Sequence, residues 1–315
     1  GLLPRLSKGR GSTPGLARRE GGVMRAPDTS KVAPLGDLLA ASIRDIDIPP
    51  RPRVLEKITD EMHREAPDFK RLTAIISADV SLGAGLIKTA NSPYFGTRRH
   101  VRSVQEALLL LGLDIASRAI AGLSLREAFP PTPQLERFWD SSACIARISG
   151  WLTQHSQGNI RVPPEDAYTF GLFRDCGIPI LIKRFPSYPA LLQRANQCQE
   201  KSFTAIEEEA IPTNHAIVSC LLAQSWWLPE EICLALRNHH DATQLGSDSS
   251  TLPIISRGLI AHAQLAEYLI QRITGLCHTE EWTKLGALCL QQLGLTTGDI
   301  DKLLPEATAI IAAES

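Results

Sequence analysis

The run Tyr168-Thr169-Phe170-Gly171-Leu172-Phe173 ends on Arg174-Asp175-Cys176-Gly177, and this is where the chain comes nearest to a catalytic signature. A histidine directly before such an aspartate would give a pair able to hold a divalent ion. An ion so held makes water nucleophilic enough to attack a phosphate at neutral pH. Arg174 stands in that place instead. A guanidinium keeps its proton, has no lone pair to give and repels a cation. His239-His240-Asp241, further along, is a weak signal by itself.

Other chemistry is sparser. Gly83-Ala84-Gly85 lies in a helical pattern without a phosphate-loop lysine or a preceding strand, so it reads as close helix packing. The seven cysteines form no CxxC pair and no nucleophile signature. Cys176, beside the arginine-aspartate doublet, could be partly exposed, but a packing role is expected for it. Trp226-Trp227 is expected to fill a core or a surface against a partner. The stretch from Asn91 to Arg102 is the most suggestive surface: Tyr94 and Phe95 lie close to Arg98, Arg99 and Arg102. Aromatic and arginine side chains together suit an interface hot spot or a phosphate-bearing ligand. Equally, the aromatics could dock between helices and leave the arginines solvated.

Almost every stretch that must position these residues has helical period, with no sustained strand alternation, so the fold class is all-α. Val54, Leu55, Ile58 and Met62 mark one apolar face, and further helices are predicted over 69–77 and 80–90. Ser103 and Glu106 form a capping box that opens a helix over 104–111, Gly112 breaks it, and Asp114 caps a second helix running to about 129. Pro130-Pro131-Thr132-Pro133 reads as an extended boundary. Helices then follow over about 138–154, 164–173, 178–185 and 189–198. Thr204 and Glu207 read as another capping box, and helices near 214–227, 229–240, 253–275, 280–293 and 299–313 complete the chain.

Composition bounds the rest. The 315 residues, 43% hydrophobic and 21% charged, are enough for one large core or two modest ones. A net charge of -1 gives no global pull toward nucleic acid or an anionic membrane. No apolar run is expected to approach the ~18–20 residues of a membrane-spanning helix. Scattered, odd-numbered cysteines fit reduced thiols in a cytoplasmic protein. The first 34 residues are basic and rich in glycine and proline, and are expected to form a disordered tail in which Met24 is a candidate natural start. A basic arm binding nucleic acid through this tail and the 91–102 arginines is a weaker idea, since no aromatic or amphipathic repeat accompanies the tail's charge.

Two stretches resemble the HDOD family of bacterial regulatory domains, relatives of the HD-type metal phosphohydrolases. The first runs from Asp79 through Ala90-Asn91-Ser92-Pro93-Tyr94-Phe95-Gly96 to Ser103-Val104-Gln105-Glu106-Ala107 and Leu111-Gly112. The second comprises Phe138-Trp139-Asp140-Ser141-Ser142, Gly171 to Gly177, Asn214-His215-Ala216, Trp227-Leu228-Pro229, Asn238-His239-His240-Asp241 and Ala261 to Ala266. The resemblance covers roughly 35–270 and implies an all-α fold of two packed helical subdomains, 35–129 and an HD-like 134–315. It also implies a ligand set for the metal-binding relatives, whose positions here carry Ser141, Arg174 with Asp175, and Gln264. One ligand of four remains, because a serine hydroxyl or a neutral amide binds such an ion poorly. His215 and His239 or His240 sit where two-metal relatives carry extra ligands, and with Asp175 they could make a reduced site.

The preferred reading is a vestigial groove of hydrogen-bonded polar residues, with Asp175 paired to Arg174 or another base, since a positive Arg174 opposes an ion. No catalytic residue, metal or cofactor is expected. The chain reads as a non-catalytic signal-transduction module with a signalling protein as partner and a small ligand as a further option, with neither nucleic acid nor membrane. The alternative is a divergent metal-dependent phosphohydrolase of a nucleotide or phosphoester, working through Asp175, His215, His239 and His240.

Overall fold

The structure, a computed structural model, describes residues 46–91, 100–158, 160–246, 250–276 and 278–312. The expected tail, together with Tyr94, Phe95, Arg98 and Arg99 of the expected binding loop, lies outside them. Every regular element among the described residues is a helix, and the chain is all-α.

Four helices make the first group: α1 (Arg53–Met62), α2 (Phe69–Ser77), α3 (Val80–Ala90) and α4 (Val104–Glu127). Short polar residues set their starts. Asp68 accepts from the amides of Lys70 and Arg71, and Asp79 from those of Ser81 and Leu82, which satisfies amides left free in a first turn. Gly83 and Gly85 bring α3 close to α4; a Cβ on Gly85 would lie 2.7 Å from Leu123 Cδ1.

The Ser103 cap forms as expected, its Oγ accepting from Glu106 N at 3.1 Å, but Glu106 returns to the amide of Arg102 and not to that of Ser103. Gly112 does interrupt the helix, with φ 74° and ψ 170° inside α4, and Asp114 makes no capping bond. By length and composition α4 could cross a membrane, contrary to the expectation that no apolar run would be long enough. Half of its apolar window is buried within the protein, with Leu108, Leu111, Ile120 and Leu125 in the core; it is the central helix of this group. Within its leucine run Leu108 and Leu111 face the core while Leu109 and Leu110 are exposed.

The proline-rich boundary is a helix entry. Pro133 opens α5 (Pro133–Leu152) as a first-turn residue, with the Thr132 hydroxyl accepting from Leu135 N, because proline lacks only an amide that the first turn leaves free anyway. After it come α6 (Pro164–Phe173), α7 (Gly177–Arg184), α8 (Tyr188–Gln197), α9 (Phe203–Glu208), α10 (His215–Ser225) and α11 (Glu230–Asn238). The short α12 (Ala242–Gly246) follows. Then α13 (Ile254–Thr274), α14 (Glu281–Leu293) and α15 (Thr297–Ala312) close the chain.

The axis of this second group is α13, buried along most of its length and packed on α5, α6, α11, α14 and α15. The two groups meet where α4 lies on α6: Arg118 pairs with Asp166, and Gly122 leaves room for Leu172. Trp226 is buried and donates from Nε1 to the Pro49 carbonyl at 3.1 Å, whereas Trp227 is exposed, takes a left-handed backbone (φ 61°) and lies under the Arg51 guanidinium.

Candidate functional site

Three helix ends deliver the expected polar residues to one place. Asp175 follows Arg174, the residue that caps the C-terminus of α6. His215 is the first residue of α10, started by Asn214, whose side chain accepts from Ile217 N at 2.8 Å. His239 caps the C-terminus of α11, with His240 next to it. Gly177 makes the meeting possible: a Cβ there would lie 2.3 Å from the His215 carbonyl oxygen, and the Gly177 amide donates to Ser219 Oγ at 2.8 Å.

The imidazoles are held from behind. His215 Nδ1 meets Glu207 Oε2 at 2.7 Å, His239 Nδ1 meets the Leu236 carbonyl at 2.7 Å, and His240 Nδ1 meets Glu281 Oε2 at 2.5 Å. Each partner is an acceptor, so each Nδ1 carries the proton and each Nε2 of a neutral ring presents a lone pair. Those lone pairs face inward. His215 Nε2 lies 3.2 Å from His239 Nε2 and 3.1 Å from His240 Nε2, and Asp175 Oδ1 lies 3.6 Å from the first and 3.4 Å from the second. One ligand atom from each of Asp175, His215, His239 and His240 falls within 4.8 Å of every other.

Arg174 pairs with Asp175, as the groove reading expects, and also with a second carboxylate. Its guanidinium donates to Asp175 Oδ2 at 2.8 Å and forms a two-point pair with Glu267, at 2.9 and 3.2 Å. The positive charge is thus spent on two carboxylates, and Asp175 keeps Oδ1 toward the histidines. Gln264 reaches the network only through Glu267, to which its Nε2 donates at 3.2 Å. Ser141 is half-buried on α5 and shares no hydrogen bond with the cluster. Asn91, expected to bind a ligand, instead pins its loop by a two-way bond to the Val101 backbone, 2.8 Å in each direction. Arg102 offers only an exposed side chain among the described residues.

Burial raises a carboxyl's pKa, but Arg174, and after it His239 and His215, hold Asp175 well below the usual carboxylate range. Burial, reinforced by His240, pushes His239 down to about 3. For His215 burial works in the same direction, yet Glu207 and Asp175 outweigh it and the ring lies above its ordinary value. Glu281 falls to about 2 against the pull of burial, chiefly through His240 and then Lys284. Cys176 is fully buried, and burial pushes its thiol up, which fits the expected packing role and not nucleophilic chemistry.

Three carboxylates of this network were not legible as site residues. Glu207 appears in sequence as half of a capping box; in fact Ser202 caps α9, and Glu207 turns inward to Tyr188 and His215. Glu267 lies one helical turn after Gln264, and that spacing is the signal that could have found it. Glu281 gave no signal, because only the tertiary fold brings α14 to His240.

These residues fit a divalent metal ion. Imidazole nitrogen with one carboxylate oxygen is a donor set of the kind that takes zinc and similar ions, and Glu207 and Glu281 stand where carboxylates orient metal-bound histidines. Such an ion would supply Lewis acidity, and a bound water if a coordination position stays open. Beside the cluster, a polar cavity of about 160 Å³ is lined by His240, Asn214, Asn238, Arg237, Glu208 and Asp241, among others. The Nη1 atom of Arg237 is buried with no hydrogen-bond partner among the described residues.

The family model of the HDOD domain matches residues 48–242, more than half of the chain. An uncharacterized protein of Treponema pallidum (strain Nichols) is 26% identical over 209 residues, 64% of this chain and 40% of that protein, so the chain spans well under half of that relative. A crystal structure of a candidate phosphohydrolase from Shewanella amazonensis SB2B has a TM-score of 0.61 at 19% identity, covering 87% of this chain and 96% of its own. A crystal structure from Marinobacter aquaeolei VT8, described as a candidate signal transduction protein, has a TM-score of 0.61 at 22% identity, covering 89% of this chain and 64% of its own. At these identities the two structures establish a shared fold.

Proposed function

The chain belongs to the HDOD domain family, and from that premise we propose that it is a non-catalytic module of bacterial signal transduction that binds a partner protein through its helical surface. The polar cavity beside His240 is the place for a small ligand, since the buried Nη1 of Arg237 has a donor to give there. One observation carries the non-catalytic reading: Arg174, paired with Asp175 and Glu267, sits where the metal-binding relatives of the sequence pattern carry an imidazole. Asp175 thereby has one oxygen committed to a fixed cation. The signalling context is supported by the family and by the fold shared with the Marinobacter protein. The test is turnover of a panel of nucleotides and phosphoesters with manganese, iron or zinc present. No hydrolysis above the metal-only rate is expected; hydrolysis abolished by Asp175→Ala overturns the reading.

The convergence of imidazole nitrogens favours a second reading, a divergent metal-dependent phosphohydrolase working through Asp175, His215, His239 and His240. The same panel separates the two.

A further inference from the structure

We propose that the polar cavity lined by Glu208, Arg237 and Asp241 takes a small zwitterionic α-amino acid, with its carboxylate on Arg237 and its ammonium toward Glu208 and Asp241. The inference rests on the small-ligand part of the signalling reading and supplies what that reading leaves open, the chemistry of the ligand.

Three segments make the walls. Glu208 ends α9, Asn214 and Ile217 lie at the start of α10, and Arg237 and Asn238 at the end of α11, with Asp241 just beyond. Several of their polar atoms have capacity to spare. Arg237 Nη1 is buried with no hydrogen-bond partner among the described residues, a loss that an incoming acceptor would recover. Asp241 spends Oδ1 on α12, accepting from Thr243 N at 2.9 Å and Gln244 N at 3.2 Å. Glu208 spends Oε1 on Asn214 Nδ2 at 2.6 Å. The second oxygens of both carboxylates accept from no described residue.

Charge then selects the class of ligand. The walls carry two carboxylates and one guanidinium, and none of the three is in an ion pair among the described residues. A phosphate or a simple carboxylate would reach Arg237 but would also meet two like charges. A bare amine would suit the carboxylates and leave the Arg237 donor unmet. A zwitterion satisfies both ends, and the last carbonyls of α11 add partial negative charge that favours its ammonium. Water, the competitor, could satisfy Arg237 Nη1 but brings no charge to Glu208 and Asp241.

Size sets the limit. The cavity, about 160 Å³, is close to an engineered one of about 150 Å³ that holds benzene, with its roughly six non-hydrogen atoms. Glycine, alanine and serine are of that size, whereas a nucleotide has several times as many atoms. Ile217 is the one aliphatic side chain in the lining, a seat for a methyl group and not for a long apolar chain.

The experiment is calorimetric titration of the full chain with glycine, L-alanine and L-serine, beside acetate, methylamine, inorganic phosphate and L-leucine. At least one of the first three is expected to saturate the protein below ~1 mM, and each of the other four to bind at least ~10-fold more weakly. Asp241→Asn and Glu208→Gln keep an oxygen for the α12 cap and for Asn214 while removing a charge. Each of them, and Arg237→Gln, should weaken the best amino acid at least ~10-fold. Should a variant not fold, nitrogen-15 spectra of the intact protein decide: the amino acid must shift the Arg237 side-chain signals, and acetate at the same concentration must not. No saturation by any of the three amino acids overturns the proposal. So does equal affinity for acetate, phosphate, methylamine or leucine, affinity unchanged in all three variants, or Arg237 signals that do not respond. The signalling reading fails on a different result, metal-dependent turnover of the phosphoester panel, so the two are judged separately.

Discussion

A single methyl group at Gly177 would bring a Cβ to 2.3 Å from the carbonyl of His215, a backbone atom that cannot rotate away. Gly177→Ala is therefore expected to cost about 1–3 kcal/mol, the usual range for overpacking, read as a lower midpoint in urea at unchanged slope. An unchanged midpoint would show that α7 and α10 can slide apart, and that Asp175 is not held against the imidazoles by this contact. His262 offers a separate reading by pH. It is buried, donates from Nδ1 to the Gly258 carbonyl at 2.7 Å, accepts from Ser156, and burial pushes it down to about 4. The unfolded chain takes up this proton near pH 6.5 and the folded one does not, so stability falls as pH drops from about 6.5 to about 4, by up to about 3 kcal/mol. Thermal melts of metal-free protein across that window should show a shallower slope for His262→Asn; equal slopes would assign the acid sensitivity elsewhere. At this scale the sequence showed the titratable groups but not their partners. Asp175, His215, His239 and His240 were all picked out, and so was Arg174 as a partner for Asp175, but Glu267 was not, because it lies 93 positions away from Arg174 and only the packing of α13 on α6 brings them together.

Helix starts are local, and most of them were legible for that reason. Asp68, Asp79, Ser103 and Asn214 each cap with a side-chain oxygen two or three residues from the amide it satisfies. Ser103→Ala is expected to cost about 1 kcal/mol through the first turn of α4, measurable as a small loss of thermal stability. The misread elements share one cause: a polar or proline residue suited to two roles. Thr204 and Glu207 have the spacing of a cap, but the burial of Tyr188 and His215 needs an inward carboxylate, and the cap passes to Ser202. Pro133 has the chemistry of a stop, but at the first helical position it is a start. Arg174, placed between α6 and α13, is where an element-level substitution would tell most. Arg174→Leu leaves Glu267 and Asp175 buried without their cation and should destabilise by about 3–5 kcal/mol. A loss much below that would mean that water or an ion takes over the neutralising role.

All the described residues belong to one unit of contacts, although the helices divide into the two groups implied by the family resemblance. The interface between the groups includes the Arg118–Asp166 pair and the Gly122–Leu172 contact, both of α4 on α6. A chain cut to 132–315 is thus expected to expose the α4-facing side of α6 and to lose cooperative unfolding or solubility, as seen by calorimetry. A sharp, reversible transition in that fragment would show the second group to be self-sufficient. The all-α class was plain from helical period, whereas the joining of the groups depended on contacts between residues some fifty positions apart, about which a local pattern is silent.

Trp226 and Trp227 carry one more consequence. Pro49 and Arg51, at the very start of the described chain, are grasped by two adjacent indoles from beyond residue 225, one by a hydrogen bond and the other by a cation lying 3.9 Å over its ring. The molecule thereby owns an intrinsic optical gauge: if the leading segment lifts away, two indoles change surroundings at once, and tryptophan emission would report the departure before any helix melts.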